Sequence, residues 1–338
     1  MPKELTHCLF ADETLARHGG SLEAMLAPLR SLYHLGAVAV DSYFYASVWP
    51  GSDPSLPEWG DLIHGAEGNN TANLPLRLLL EARGEPDPTR RAERTAFAAG
   101  ILTHMAMDAT LHPYVYHVTG DYYAPDAKLR QDAQIRHRSL ESWLDWRLLE
   151  RAGLSPRASR IWPAIDRAGD AVDRCLTDYA RAVDVTFGRG PPSLTALRRG
   201  YRVQRLTHAL IPHRLVARAM VALDRLLKGR LTDYVALFYP WAGGTPPRAM
   251  FDFESFIHPV TGERLSGGMD LLIERARLLG ESYLAAVENF VLGNGDEMAF
   301  RSVVRGVSLD FGLIGVRAGA GRHFATLGIE ELWPGKTA

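Results

Sequence analysis

Residues 100–112 read Gly-Ile-Leu-Thr-His-Met-Ala-Met-Asp-Ala-Thr-Leu-His, and His104, Asp108 and His112 stand there at i, i+4 and i+8. Each four-residue step rotates only about 40° around a helix, so the three residues share one narrow stripe. Neighbours on such a stripe have Cβ atoms about 5–6 Å apart, near enough to hold one ion together. The eight-residue rise of about 12 Å is too long for His104 and His112 to share an ion. The stretch therefore predicts a helix with two adjacent metals and Asp108 between them.

The next helical stretch repeats this arrangement. His137 and Glu141 are again i and i+4, and Asp145 follows one step further. Imidazole and carboxylate ligands together suit zinc better than a hard ion such as calcium. Three upstream residues complete a cluster drawn from different segments, as is usual for multinuclear sites in helical bundles: His7, Asp41 and His64.

The competing explanation is chance. With 12 His and 39 acidic residues in 338, a His-x-x-x-acid-x-x-x-His match arises in roughly 5% of such chains and then marks a surface or a capped core. The second His-x-x-x-Glu on the following helix weakens that explanation.

The remaining sequence predicts an all-α protein. Apolar residues recur with helical spacing, and sustained alternation of β-branched residues is scarce. Helical patterns cover 21–34, 87–118, 128–151 and 269–291, with two or more helices between 155 and 230. Gly and Pro predict loops over 50–60 and 240–268, and the Gly-rich tail after Gly293 receives no assignment.

Length permits two domains and equally allows one helical domain with a long tail. We expect a single domain over 1–338, with a metal-binding catalytic part at 5–150 and additional helices with a Gly-rich tail at 151–338. The chain is 46% hydrophobic and 23% charged, which is ordinary globular composition. A net charge of -1 provides no bulk attraction to nucleic acid or to an anionic membrane, so any such binding must be local. No stable nucleic-acid partner is expected. The first residues lack an apolar signal segment, and no apolar run is long enough to span a membrane. We therefore expect a cytoplasmic protein.

Five segments give the chain a resemblance to a known family. In this order they are similar to segments of zinc-dependent phospholipase C and, less closely, of glycosylphosphatidylinositol-specific phospholipase D and fungal single-strand nucleases: Leu-Thr-His (5–7), Leu-Gly-Ala-Val-Ala-Val-Asp (35–41), Ile-His-Gly (63–65), residues 100–112, and His-Arg-Ser-Leu-Glu (137–141). The resemblance covers about residues 5–150.

The resemblance implies a phospholipase C-like multi-helix bundle with a zinc cluster at the bottom of a cleft. Three ligand sets follow from it: Asp41, His64, His104 and Asp108 for one zinc; His112, His137 and Glu141 for a second; His7 with Asp108 as a bridge for a third. In the family an N-terminal amine and carbonyl complete the third ion. Two zinc ions are thus expected, and a third depends on an amine near His7.

The implied function is hydrolysis of a phosphodiester by metal-activated water, with a phospholipid as the first substrate and Asp41 as the general base. Within the enzyme class, a single-strand nuclease-like or small-molecule phosphodiesterase is the alternative. From another class, the chain could be a non-catalytic metal-binding protein on the same fold. For Asp41 the simpler reading is a helix cap at Ser42. Arg136 and Arg138 could face a phosphate or merely be solvated.

Overall fold

The computed structural model describes residues 3–46, 57–155, 161–188, 194–239 and 250–326. Its helices are α1 (Glu4–His18), α2 (Gly20–Leu26), a 3₁₀ turn (Ala27–Leu29), α3 (Arg30–Ala39), α4 (Ser42–Tyr45), α5 (Pro57–Ile63), α6 (Asn73–Arg83), α7 (Pro88–Thr119), α8 (Ala127–Arg151), α9 (Ile161–Asp166), α10 (Asp170–Phe187), α11 (Leu194–Leu210), α12 (Arg214–Leu226), α13 (Thr232–Val235), α14 (Met269–Val291) and α15 (Glu297–Val303). The prediction of an all-α protein is confirmed.

Helix α7 is the central element, and its ends are set by local chemistry. Asp87 accepts a hydrogen bond from the backbone N–H of Thr89, and Pro88 occupies the first helical position, where its missing N–H costs nothing. At the other end Gly120 has φ +101°, which ends the helix. The helix packs against α3, α6 and α14. The helix predicted over 87–118 is confirmed, because α7 covers Pro88–Thr119.

A pair of glycines lets α3 and α7 approach within backbone contact. A Cβ at Gly36 would lie 2.0 Å from the carbonyl oxygen of Phe97, and one at Gly100 would lie 2.0 Å from that of Tyr33. No other residue fits this crossing without moving a helix. The contact brings the end of α3 beside the stripe of α7.

Three sequence-based expectations differ from the structure. The stripe at 21–34 is not one helix, because the chain passes through the 3₁₀ turn that contains Pro28. The expected loop at 240–268 contains an antiparallel hairpin of β1 (Ser255–Ile257) and β2 (Arg264–Ser266), with Phe256 opposite Leu265. The loop expected at 50–60 ends earlier, since α5 begins at Pro57; residues 50–56 lie outside the described ranges.

Both halves of the chain contribute to one hydrophobic core. The largest cluster of buried apolar side chains extends in sequence from Cys8 to Leu309 and includes Leu176 of α10 and Phe290 of α14. Burial of such side chains is the main stabilising term of the fold. In the described ranges, none of the helices is long and apolar enough to cross a bilayer.

Candidate metal centre

The structure places all eight predicted ligands in one buried region. His7 comes from α1, Asp41 follows α3, and His64 follows α5; His104, Asp108 and His112 lie on α7, and His137 and Glu141 on α8. Each residue is at most 7% exposed. Five separate segments thus converge on one site, and binding of zinc by these residues stays a prediction.

The first group surrounds Asp41. Its Oδ1 lies 3.4 Å from Nε2 of His64 and 3.7 Å from Nε2 of His104. One ligand atom from each of these three residues falls within 4.8 Å of the others. Such a spacing lets bonds of about 2.0–2.2 Å meet at one zinc ion.

Asp108 faces two sides of the site with its two oxygens. Oδ2 lies 2.9 Å from Nε2 of His104 and 3.7 Å from Nε2 of His64, on the side of the Asp41 group. Oδ1 lies 3.4 Å from Nε2 of His7. The ring of His7 also stacks on that of His104, with centroids 3.9 Å apart. This geometry suits a carboxylate that bridges two ions.

The second group joins α7 to α8. Glu141 Oε1 lies 2.8 Å from Nε2 of His137 and 4.0 Å from Nε2 of His112. These three residues form a separate set within 4.8 Å of one another. The structure therefore assigns His104 and His112 to different groups, as the eight-residue spacing predicts.

Backbone carbonyls orient three of the histidines. Nδ1 of His64 donates to Gly60 O at 2.7 Å, Nδ1 of His104 donates to Ala37 O at 2.8 Å, and Nδ1 of His112 donates to Leu309 O at 2.9 Å. Because Nδ1 donates to a carbonyl in each case, Nε2 is the ring atom that faces the cluster and can bind a metal. Such outer hydrogen bonds fix the tautomer and the ring orientation of a ligating histidine.

The carboxylates create a negative field that favours cations. Burial lowers the pKa of His64, but the carboxylates of Asp108 and Asp41, whose oxygens lie 3.7 and 3.4 Å from its Nε2, raise it to about 10. His104 responds in the same direction, because the charges of Asp108 and Asp41 raise its pKa in spite of burial. For His112 burial dominates and lowers the pKa to about 3, although the charge of Asp108 opposes it. The field that holds a proton on His64 would equally attract Zn²⁺, and zinc would displace that proton.

The donor set also fits zinc because its polar atoms are otherwise unsatisfied. Buried side-chain atoms normally have hydrogen-bond partners, and exceptions require an explanation. In the described ranges the following atoms have none: both ring nitrogens of His7, Nε2 of His104 and His112, Oδ1 of Asp41, and both oxygens of Asp108. Zinc bound among them would satisfy these atoms together.

A cleft of about 570 Å³ opens above the centre. His64, His112, His137 and Glu141 form part of its lining. Its other walls combine aromatic rings with charged groups: Phe44, Tyr45, Tyr116, Tyr122, Tyr123, Tyr234, Arg130, Arg138, Asp61, Asp233 and Asp310. A substrate in the cleft would therefore reach the ligand groups directly.

Other residues singled out in the sequence lie elsewhere or have other tasks. Asp145 accepts from the backbone N–H and hydroxyl of Thr6 at 2.7 and 2.6 Å, and so holds the turn of α1 that carries His7. Arg136 donates to Thr119 O at 2.7 Å and is not part of the cleft lining. Arg138 does line the cleft and lies 3.2 Å from Asp233. Of Arg136 and Arg138, the cleft lining includes Arg138 alone.

The sequence reasoning missed the C-terminal segment, residues 304–318, which closes one side of the site. Leu309 donates its N–H to His64 O at 2.9 Å and accepts from His112 through its carbonyl. The next residue, Asp310, is 4% exposed, lines the cleft and accepts from the hydroxyl of Tyr123 at 2.9 Å. Burial raises the pKa of Asp310. A Leu-Asp pair inside a Gly-rich tail carried no local signal of this role.

The fold and the site define the class of protein. It is an all-α protein in which histidines and carboxylates from several helices meet in a metal-binding centre under an open cleft. The family model of zinc-dependent phospholipase C matches residues 6–185, just over half of the chain, and the chain belongs to this family. Comparisons with curated proteins and with solved structures found no match.

Proposed function

We propose that the protein is a zinc-dependent phosphodiester hydrolase that cleaves phospholipids in the manner of a phospholipase C. The observation that carries the proposal is the convergence of eight candidate ligands in one buried region, four of which line the same cleft: His64, His112, His137 and Glu141. A structural zinc site is closed by four protein ligands, whereas a catalytic site keeps a position for water or substrate. The group of His112, His137 and Glu141 supplies three ligands and faces the cleft, which supports catalysis over a purely structural role.

Zinc bound here would lower the pKa of water towards neutrality and neutralise phosphoryl oxygens. The chain's own residues have distinct tasks in the proposal. Asp41 accepts the proton of the attacking water, beside the candidate ligands His64 and His104. Arg138 is placed in the lining to bind a phosphoryl oxygen with its guanidinium, a geometry that suits phosphate.

Metal stoichiometry is part of the proposal. The sets Asp41, His64, His104 with Asp108 and His112, His137, Glu141 each hold one zinc. A third ion binds between His7 and Asp108 only when a further ligand, such as an amine, completes its shell.

The direct test combines metal analysis with a substrate screen. We expect elemental analysis of the metal-replete protein to give at least two zinc ions per chain. Phosphatidylcholine in mixed micelles, single-stranded DNA and an aryl phosphodiester then separate the phospholipase from nuclease and small-molecule alternatives. One ion or fewer would refute the metal assignment. Two ions without hydrolysis of any of these substrates would favour a non-catalytic metal-binding protein.

A further inference from the structure

Helix α12 presents an apolar stripe to solvent rather than to the protein. Among its residues only Ala217 and Asp224 are buried, and they lie on the same side of the helix. Leu215 and Leu226 are 78% and 77% exposed. At about 100° per residue, one outward stripe contains Leu215, Ala219, Ala222, Leu223 and Leu226. An ordinary surface helix is oriented the other way, with its leucines towards the core.

Basic residues flank this stripe. Arg214, Arg218 and Arg225 fall within about 40° of one another around the helix axis, beside the leucines, and all three are exposed. Lys228 and Arg230 follow directly and are also exposed. The acidic residue of the helix, Asp224, is buried on the opposite side. The outer surface of α12 is therefore apolar in the middle and positive along one edge.

The structure fixes α12 beside the cleft. Asp224 accepts from the backbone N–H of Leu231 at 2.7 Å and from the hydroxyl of Thr232 at 3.0 Å. These bonds tie the end of α12 to the start of α13, which contributes Asp233 and Tyr234 to the cleft lining. The apolar stripe therefore belongs to the helix next to α13, and α13 lines the cleft.

We propose that α12 is an interfacial helix that binds the surface of an anionic phospholipid bilayer. A helix with exposed leucines and flanking arginines lies in the plane of a membrane, with its apolar side among the acyl chains and its cations at the headgroups. Two observations favour a lipid surface over a second copy of this chain: the positive edge complements anionic headgroups, and α12 packs against α13, which lines the cleft. The location of the substrate in that bilayer rests on the proposed function, but membrane binding does not.

The test is sedimentation of the zinc-loaded protein with vesicles of phosphatidylcholine, with and without phosphatidylserine. We expect stronger binding to the anionic vesicles, weakened by high salt. The double variant Leu215→Gln/Leu226→Gln should lower the partition coefficient at least about tenfold, because it removes the two most exposed apolar side chains of the stripe. The matched control is Leu278→Gln/Met298→Gln, which alters residues that are 55% and 76% exposed outside α12; its binding should match that of the parent.

Equal vesicle binding by the two double variants, or binding that ignores phosphatidylserine, would overturn the proposal. So would a dimer in sedimentation velocity that Leu215→Gln/Leu226→Gln dissociates while no form binds vesicles, since the stripe would then serve self-association. Leu and Gln have similar helix propensity, and unchanged circular dichroism checks the fold.

Activity assays separate this proposal from the proposed function. The variant at Leu215 and Leu226 should hydrolyse a soluble monomeric phosphodiester as the parent does, and vesicle phospholipid at least about tenfold more slowly, in line with its lost binding. If the parent hydrolyses neither substrate, the proposed function fails, while the sedimentation result still decides the role of α12.

Discussion

Asp41 is the residue at which a structural and a catalytic role can be distinguished. It stands before Ser42, the first residue of α4, as a helix cap would. However, its φ and ψ of -87° and -9° are helical, and its side chain makes no capping hydrogen bond. Its Oδ1 instead points to His64 and His104, and burial raises its pKa. The geometry therefore argues against the cap and leaves the general-base role as a proposal.

We expect Asp41→Asn to lower phosphodiesterase activity by ~10²–10⁴-fold, because an amide cannot accept the proton of water. The fold should be retained, with at most one zinc weakened. Asp87→Asn is the matched control: Asp87 is a genuine cap that accepts from Thr89, and Asn caps nearly as well as Asp. Activity of the Asp41 variant within about threefold of the parent would remove the general-base role.

Glu141 tests how the ligands divide between the ions. It lies beside His137 and His112, outside the Asp41 and Asp108 groups. Glu141→Gln should therefore lower the occupancy of one zinc and leave the ion at His104 in place. Glu150→Gln, an exposed change on the same helix, should leave every ion bound. Anomalous scattering from crystals measures each occupancy, and full occupancy of all ions in the Glu141 variant would show that the division is wrong.

The C-terminal segment, residues 304–318, packs against α7 and supplies the backbone groups that orient two of the candidate ligands. Pro113 has no N–H, so α7 cannot satisfy the carbonyl of Ala109 one turn earlier. Gly312 packs against that carbonyl: a Cβ there would lie 2.5 Å from the Ala109 oxygen. The turn that contains Gly312 follows Leu309, whose backbone N–H and carbonyl form hydrogen bonds with His64 and His112. Close packing at Gly312 is thus coupled to the orientation of two ligands.

We expect Gly312→Ala to destabilise the protein by about 1–3 kcal/mol beyond the cost of its left-handed backbone, because the added methyl pushes the segment away from α7. Zinc affinity should fall with it. Gly315→Ala isolates the clash: its φ of +70° matches the +67° of Gly312, but nothing lies within 4 Å of the added Cβ. Thermal unfolding and zinc titration compare the two variants, and equal effects would mean that only backbone strain matters.

On the scale of the whole molecule, a buried ion pair joins the N-terminal helix to the later helices. Glu4 of α1 pairs with His208 of α11, and accepts from Gln204 at 2.9 Å and from Tyr45 at 2.9 Å. Burial would raise the pKa of Glu4, but the charge of His208 and the hydrogen bonds from His208 and Gln204 lower it to about 2. This network fixes α1 three residues before His7.

The sign of the pH effect follows from that shift. A carboxylate with a lowered pKa in the folded state stabilises the fold fully above its unfolded value of 4.5, and the contribution is lost as pH falls towards about 2. Glu4→Gln should therefore lower the free energy of unfolding by on the order of 1–3 kcal/mol near neutral pH, and by progressively less below pH 4.5. Denaturant unfolding of the zinc-free parent and variant measures this difference in unfolding free energy at neutral pH and at lower pH. A difference that stays constant from pH 6 to pH 2.5 would contradict the network's role.

The sequence predicted the helices best where one local pattern decides them. The cap at Asp87, the stop at Gly120 and the apolar spacing of 269–291 each act within a few residues, and the structure agrees with all three. The prediction of one helix over 21–34 was wrong, because Pro28 interrupts the helix even though the apolar stripe continues past it. The hairpin of β1 and β2 was not predicted, because its strands have only three residues each. That length is too short to show an alternation of apolar and polar residues.

The sequence by itself determined which residues could bind metal, because the i, i+4 spacing on α7 and α8 fixes neighbouring side chains through helix geometry alone. Only the tertiary structure decided how those residues divide into groups and what orients them. His112 donates its hydrogen bond to a carbonyl 197 residues away, and no local pattern encodes such a contact. The direction of the apolar stripe of α12 was likewise open, since periodicity shows that a stripe exists, whereas packing decides whether it faces the core or solvent.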